Sequence, residues 1–113
     1  MSGGNIVLLG TDLMFGSKVE SMINQAGFHP VVVQSPEAAE AAAEESVLLI
    51  VDLTADAFDG TTAIAAGGTP TIGFYAHTGV ETRHKALANG FKQVVPRSRM
   101  MREGVELILD SVG

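Results

Sequence analysis

Residues 47–60 read V-L-L-I-V-D-L-T-A-D-A-F-D-G, and this stretch decides the fold. Its first seven residues are apolar apart from Asp52, without alternation between apolar and polar side chains. A strand that is apolar on both faces is typical of a parallel sheet covered by helices on each side. The stretch therefore predicts a buried strand over residues 47–53 that carries an acidic residue at its carboxyl end.

Strand and helix patterns alternate on both sides of this strand. The other predicted strands are residues 5–9, 30–34 and 71–75, with a weaker one at 93–95. The predicted helices are residues 13–26 with a stop at Gly27, one that opens at Ser35 and Pro36, a short one after residue 60, one over 80–90, and one over 100–111. This order predicts an α/β fold: a five-stranded parallel sheet, doubly wound, in three α/β/α layers, with residues 1–113 as one domain.

Composition excludes several kinds of function. The chain has 113 residues, 46% of them hydrophobic, with no cysteine and a formal net charge of −6. Its acidity disfavours binding to nucleic acid and to anionic membranes, and no cysteine-based zinc site can form. No apolar run approaches the length of a membrane span, and a signal peptide is not recognisable. We expect a cytoplasmic protein that is not an enzyme, since no catalytic constellation stands out.

Ligand sites in doubly wound sheets lie at the carboxyl ends of the strands. In this sequence those ends are residues 10–12, 52–59, 75–78 and 96–98. Asp52 is the strongest candidate for a functional residue, because an ionised carboxylate at the end of a buried strand needs a partner. The pocket residues that we select with it are Thr11, Asp12, Tyr75, His77 and Arg97. His77 could hydrogen-bond Asp52 or a ligand, although a loop histidine that caps the next helix is the more common case.

The spacing of Asp52 from Asp59-Gly60, and the order of the elements, resemble response-regulator receiver domains. The segments 13–18 (LMFGSK), 75–77 (YAH) and 96–99 (PRSR) also resemble a group of orphan receiver-like proteins. The resemblance implies a flavodoxin-like fold and places Asp52 at the position of the phospho-acceptor.

The rest of the implied phosphorylation pocket is altered. Receivers carry two adjacent acids after the first strand, where Gly10 and Thr11 stand here and Asp12 is displaced by one position. Tyr75 replaces a small hydroxyl residue, and Arg97 replaces a lysine. Asp12 and Asp52 alone would supply few of the several oxygen ligands that Mg²⁺ prefers. We therefore expect no cofactor. The alternative is Mg²⁺ bound at these two residues. An ion pair between Asp52 and Arg97 is a further hypothesis.

These substitutions favour a stand-alone atypical receiver (a pseudo-receiver), a signalling or protein-interaction module that works without ordinary Mg²⁺-dependent phosphorylation. The resemblance implies that a protein partner or a second copy binds through the fourth helix, fifth strand and fifth helix, with residues 80–90 and 100–111 on that face. One alternative is a phosphorylatable receiver of a two-component phosphorelay, with Asp52 as acceptor. Another is a small-ligand-binding domain that uses Thr11, His77 and Arg97.

Four apolar residues near the helix starts remain open to two interpretations. Met14, Phe15, Met100 and Met101 could contact a partner or fill the core. Met100 and Met101 are adjacent, so a helix cannot bury both against the same neighbour. We therefore expect one of the two to face solvent or a partner.

Overall fold

A computed structural model describes residues 4–53, 69–75, 80–88 and 90–112. Five strands form one parallel sheet in the order β2-β1-β3-β4-β5. The strands are β1 Asn5–Leu9, β2 His29–Val33, β3 Leu48–Asp52, β4 Thr71–Tyr75 and β5 Gln93–Pro96. The helices are α1 Leu13–Gln25, α2 Pro36–Ala43, α3 Val80–Ala88 and α4 Arg97–Val112. The predicted doubly wound α/β fold is confirmed.

Alternate residues of the central strands enter two separate apolar layers. Ile6 and Leu8 of β1 pack with residues of α1 and α4, which include Phe15 and Ile108. Val7 and Leu9 of the same strand enter a second layer, which contains Ala39 of α2 and Ala86 of α3. Because successive side chains of a strand point to opposite faces, the unbroken apolar sequence of β1 supplies both layers.

The first strand-helix-strand unit matches the sequence pattern closely. Helix α1 begins at Leu13 and ends at Gln25, one residue earlier than predicted. Gly27 follows with a φ of +92°, a left-handed conformation that glycine adopts readily, so its predicted role as the stop is confirmed. Helix α2 begins at Pro36, and the hydroxyl of Ser35 accepts a hydrogen bond from the backbone N–H of Ala38.

The starts of β2 and α4 differ from the sequence pattern. Strand β2 begins at His29, one residue before the predicted start, and it lies at an edge of the sheet, where its side chains are only partly covered. Helix α4 begins at Arg97, three residues before the predicted start at Met100. The sequence of its first turn is Arg-Ser-Arg, which has no apolar periodicity to indicate a helix. Glu103 interrupts α4 with non-helical backbone angles (φ −125°, ψ 19°).

Several predictions lie outside the described residues. These are the Asp59-Gly60 pair, the short helix after it, and the turn that contains His77. Within the part of the chain that the structure describes, no helix has the length and apolar character to cross a membrane.

Candidate functional site

The predicted site lies at the edge of the sheet where the strands end. Asp52 is the last residue of β3, Tyr75 the last of β4, and Arg97 follows β5 directly. Thr11 and Asp12 connect β1 to α1. Because all five strands are parallel, these residues share one edge of the sheet.

Asp52 is enclosed by its neighbours. Its side chain is 3% exposed and stands opposite Phe74 in the register of β3 and β4. A Cβ atom added at Gly10 would lie 3.2 Å from the Cβ of Asp52, so the backbone of Gly10 passes directly against the carboxylate side chain. An acidic residue at position 10 would therefore crowd Asp52. The adjoining cavity has a volume of about 30 Å³, and both Asp12 and Asp52 line it.

Asp12 uses its two carboxylate oxygens for two structural contacts. Oδ1 accepts a hydrogen bond from the backbone N–H of Phe15 at 3.0 Å, which caps the N-terminus of α1. Oδ2 accepts one from the Nη2 atom of Arg97 at 2.7 Å. The backbone hydrogen bond first, and the Arg97 guanidinium second, lower the pKa of the Asp12 carboxyl below its ordinary value of 3.8.

The guanidinium of Arg97 is fixed by an aromatic ring as well as by Asp12. Its Cζ atom lies 4.0 Å from the centre of the Phe15 ring, within the range of a cation–π interaction. The Phe15 ring in turn lies 4.6 Å from the ring of Phe74, between centres. The hypothesis of an Asp52–Arg97 ion pair is wrong, because Arg97 is stacked on Phe15 and pairs with Asp12 instead.

The structure brings some of the predicted pocket residues together and separates another. Asp12 and Arg97 are in contact, and Asp12 and Asp52 border the same small cavity. Tyr75 is half buried and packs in the layer of α2 and α3, on the other side of the sheet from Phe15. Thr11 is exposed. His77 lies outside the described residues.

The residue that organises this site is Phe15. It is 5% exposed and touches both Arg97 and Phe74. The sequence left Phe15 open between core filling and partner contact, and it is a core residue. Met100 is fully buried while Met101 is partly exposed, which confirms that only one of this pair is enclosed.

The donor set is a poor fit for Mg²⁺. Both oxygens of Asp12 already accept hydrogen bonds, and the nearest cation is Arg97, whose charge would repel a metal ion. Among the described residues, no three acidic or histidine side chains form a metal-binding group. The described residues at the strand ends therefore do not present a ligand set that suits Mg²⁺.

A scan against protein-family models and a search of curated proteins find no match to the sequence. The solved structures do contain similar folds. One is the receiver domain of the sensor histidine kinase PA1611 from Pseudomonas aeruginosa, described with magnesium in its active-site cleft. It is 19% identical, with a TM-score of 0.81 over 99% of each chain.

The chain has the fold of a response-regulator receiver domain. Two further receiver structures agree. The orphan response regulator HP1043 of H. pylori is 16% identical, with a TM-score of 0.78 over 99% of this chain and 98% of that one. An atypical orphan response regulator, described as having a phosphorylation-independent regulatory mechanism, is 17% identical, with a TM-score of 0.73 over 96% and 94%. The receiver-like fold expected from the sequence is thus confirmed.

The stability of the protein should respond to acid through Asp12. Its pKa is lower in the folded protein than in the unfolded chain. The resulting stabilisation is therefore present above the unfolded pKa and is lost as the pH falls through the folded one. We expect the free energy of unfolding to decrease as the pH is lowered below about 4, and to decrease less in Asp12→Asn. Asparagine keeps a capping oxygen but does not titrate. Urea unfolding of both proteins across this pH range measures their free energies of unfolding. Parallel pH dependences would contradict the role of Asp12.

Proposed function

We propose that this chain is an atypical receiver-like module that acts by binding protein partners, without Mg²⁺-dependent phosphorylation and without catalytic activity of its own. The observation that carries the proposal is the Asp12–Arg97 contact over Phe15. It engages Asp12, the acid that follows the first strand, together with Arg97, the cation that stands where receivers have a lysine.

The burial of Asp52 supports the same conclusion. A phospho-acceptor must be reached by its donor and must then hold a dianionic phosphoryl group. Asp52 is 3% exposed, and the cavity beside it has room for about one water molecule. Gly10 lies against it where a metal-binding acid would be needed. A neighbour in fold, described as phosphorylation-independent, gives a precedent for this mode of action.

Partner binding through the face of α3, β5 and α4 is part of this proposal. Two large apolar side chains are exposed on these helices, Leu87 of α3 at 38% and Leu109 of α4 at 48%. Both side chains are available for contact with another protein. A small ligand at the strand ends is less well supported, because Arg97 is already occupied by Asp12 and Phe15.

A titration with Mg²⁺ and beryllofluoride, a phosphoryl mimic, tests the proposal. We expect the amide NMR signals of Gly10, Asp12 and Asp52 to stay unchanged at millimolar Mg²⁺, because Asp12 already forms an ion pair with Arg97. Saturable shifts that disappear in Asp52→Asn would contradict the proposal and would establish a phosphorylatable receiver with Asp52 as acceptor. Shifts that persist in Asp52→Asn would indicate binding of the ions elsewhere.

A further inference from the structure

Strand β2 forms one edge of the sheet, with β1 as its only neighbouring strand in the described part of the chain. Two backbone hydrogen bonds show which of its residues face β1. The N–H of His29 donates to the carbonyl oxygen of Gly4 at 2.9 Å, and the carbonyl oxygen of Val33 accepts from the N–H of Gly10 at 3.1 Å. Because the backbone groups of a strand point alternately to its two sides, His29, Val31 and Val33 direct theirs towards β1.

Pro30 and Val32 therefore direct their backbone groups outwards, away from β1. Proline has no backbone N–H, so an added strand would find an N–H donor at Val32 but none at residue 30. A proline at residue 29, 31 or 33 would instead remove a hydrogen bond to β1. Pro30 thus stands at a position where it weakens the outer edge and leaves the sheet intact.

Charged side chains and bulges, which protect many sheet edges, are absent from β2. Residues 27–36 read G-F-H-P-V-V-V-Q-S-P and contain no aspartate, glutamate, lysine or arginine. The pairing of β1 with β2 runs residue by residue along the whole strand, without a bulge. Three consecutive valines favour a strand, and an uncharged edge of this kind is open to pairing with another chain. The missing N–H of Pro30 is therefore the feature of β2 that opposes such pairing.

The opposite edge of the sheet is protected in a different way. Strand β5 has only four residues, and it directly follows the exposed Lys92. Short edge strands and lysine side chains both disfavour the addition of a further strand. Of the two edges, β2 is the one whose protection depends on a single residue.

The self-pairing that Pro30 opposes can be described bond by bond. Two copies related by a two-fold axis would pair β2 with β2 in antiparallel fashion, centred on Val32. The two Val32 residues would exchange both of their hydrogen bonds, and residue 30 would stand opposite Gln34 at each end. The N–H of Gln34 could still donate to the carbonyl oxygen of Pro30, but the return bond from residue 30 cannot form. One hydrogen bond is therefore lost at each end, and the carbonyl oxygen of Gln34 is left facing the proline ring.

We propose that Pro30 blocks pairing of the β2 edge with a second copy of this chain, so that two sheets do not join into one. The inference concerns this edge alone and goes beyond the proposed function. It also directs the binding of other proteins to side-chain surfaces, since the backbone of β2 offers an added strand an incomplete set of hydrogen bonds.

A proline in a strand has a second physical effect that must be separated from this one. It restricts the unfolded chain, and that alone would stabilise the protein without any effect on association. The two roles differ in what they change: one alters the free energy of unfolding, the other the dissociation constant of a dimer. Both quantities are therefore measured in the same variants.

Self-association of Pro30→Ala tests the proposal, since alanine restores the N–H without adding a bulky side chain. We expect the dissociation constant of the dimer, measured by sedimentation equilibrium, to fall by about ten- to a hundredfold, the effect of two recovered hydrogen bonds. Pro36→Ala is the matched control, because Pro36 is the first residue of α2, where no intrahelical bond needs its N–H. This control should associate as the unaltered chain does.

A second substitution locates the association. Val32→Lys in the Pro30→Ala background places a lysine at the centre of the pairing, where two copies would bring equal charges together. We expect it to return the dissociation constant to that of the unaltered chain. Val32 is 43% exposed, so a lysine there can reach solvent. Circular dichroism and urea unfolding at low protein concentration verify that each variant is folded.

Hydrogen exchange in the unaltered chain tests the edge without any substitution. The amide of Val32 should exchange much faster than those of Val31 and Val33, which are hydrogen-bonded to β1. Slow exchange at Val32 would overturn the proposal, since the edge would already be covered. Equal association of Pro30→Ala and the unaltered chain would also overturn it, as would an association that Pro36→Ala shares or that Val32→Lys leaves unchanged. None of these results affects the beryllofluoride titration, which tests the proposed function separately.

Discussion

Phe15→Ala is expected to lower the free energy of unfolding by about 3–5 kcal/mol, the usual cost of truncating a buried phenylalanine. The ring is 5% exposed and contacts both the ring of Phe74 and the guanidinium of Arg97. Removing it leaves a cavity beside Phe74 and removes the surface on which Arg97 is stacked. Since small domains are stable by only about 5–15 kcal/mol, this loss is a large fraction of the total stability.

Urea denaturation at a common m-value measures this effect. Leu13→Ala is the matched control, because Leu13 lies two residues away in the same helix but is 78% exposed. We expect it to change stability by no more than about 0.5 kcal/mol. A loss of less than about 1 kcal/mol in Phe15→Ala would show that Phe15 does not organise the site as described.

The second large effect is expected at Gly73, in the middle of β4. A Cβ atom there would lie 2.7 Å from Cδ1 of Leu53 and 3.1 Å from Cε2 of Phe91. Gly73→Ala should therefore destabilise the protein by about 1–3 kcal/mol through overpacking, although alanine normally loses less backbone entropy than glycine on folding.

Gly16→Ala is the same chemical change, but we expect it to raise the stability of the protein rather than lower it. Gly16 lies within α1, and its added Cβ would make an ordinary contact of 3.8 Å with Leu8. Replacing a glycine inside a helix by alanine should stabilise the protein by about 0.5–1 kcal/mol. Thermal unfolding of both variants would separate the two cases, and destabilisation by Gly16→Ala or stabilisation by Gly73→Ala would contradict the packing described.

Much of the fold was predictable because both its apolar layers are visible in the sequence. Apart from Asp52, residues 47–53 are apolar without alternation, which is typical of a strand covered on both faces. The boundaries of β3 differ from the predicted ones by one residue at each end. The start of α4 was not predictable by the same means. Arg97, Ser98 and Arg99 carry no apolar periodicity, and the helix there depends on tertiary contacts such as the stacking of Arg97 on Phe15.

The position of the candidate residues at the strand ends was predictable, but only some of their contacts were. The carboxyl ends of the strands were located correctly, since parallel strands bring them to one edge. The cap formed by Asp12 could have been recognised, because aspartate directly before a helix commonly bonds the third backbone N–H that follows. The Arg97–Phe15 contact joins residues that are distant in sequence, and a single sequence contains no signal for such a pair.

The two apolar layers on opposite faces of the sheet have a consequence for how this protein can change. Residues in different layers share few direct neighbours, so substitutions in one should combine almost additively with substitutions in the other. The layer of α1 and α4 contains Phe15 and Phe74, which adjoin the strand ends. The sequence of that layer can therefore change, in evolution or by design, while the packing of the layer of α2 and α3 stays the same.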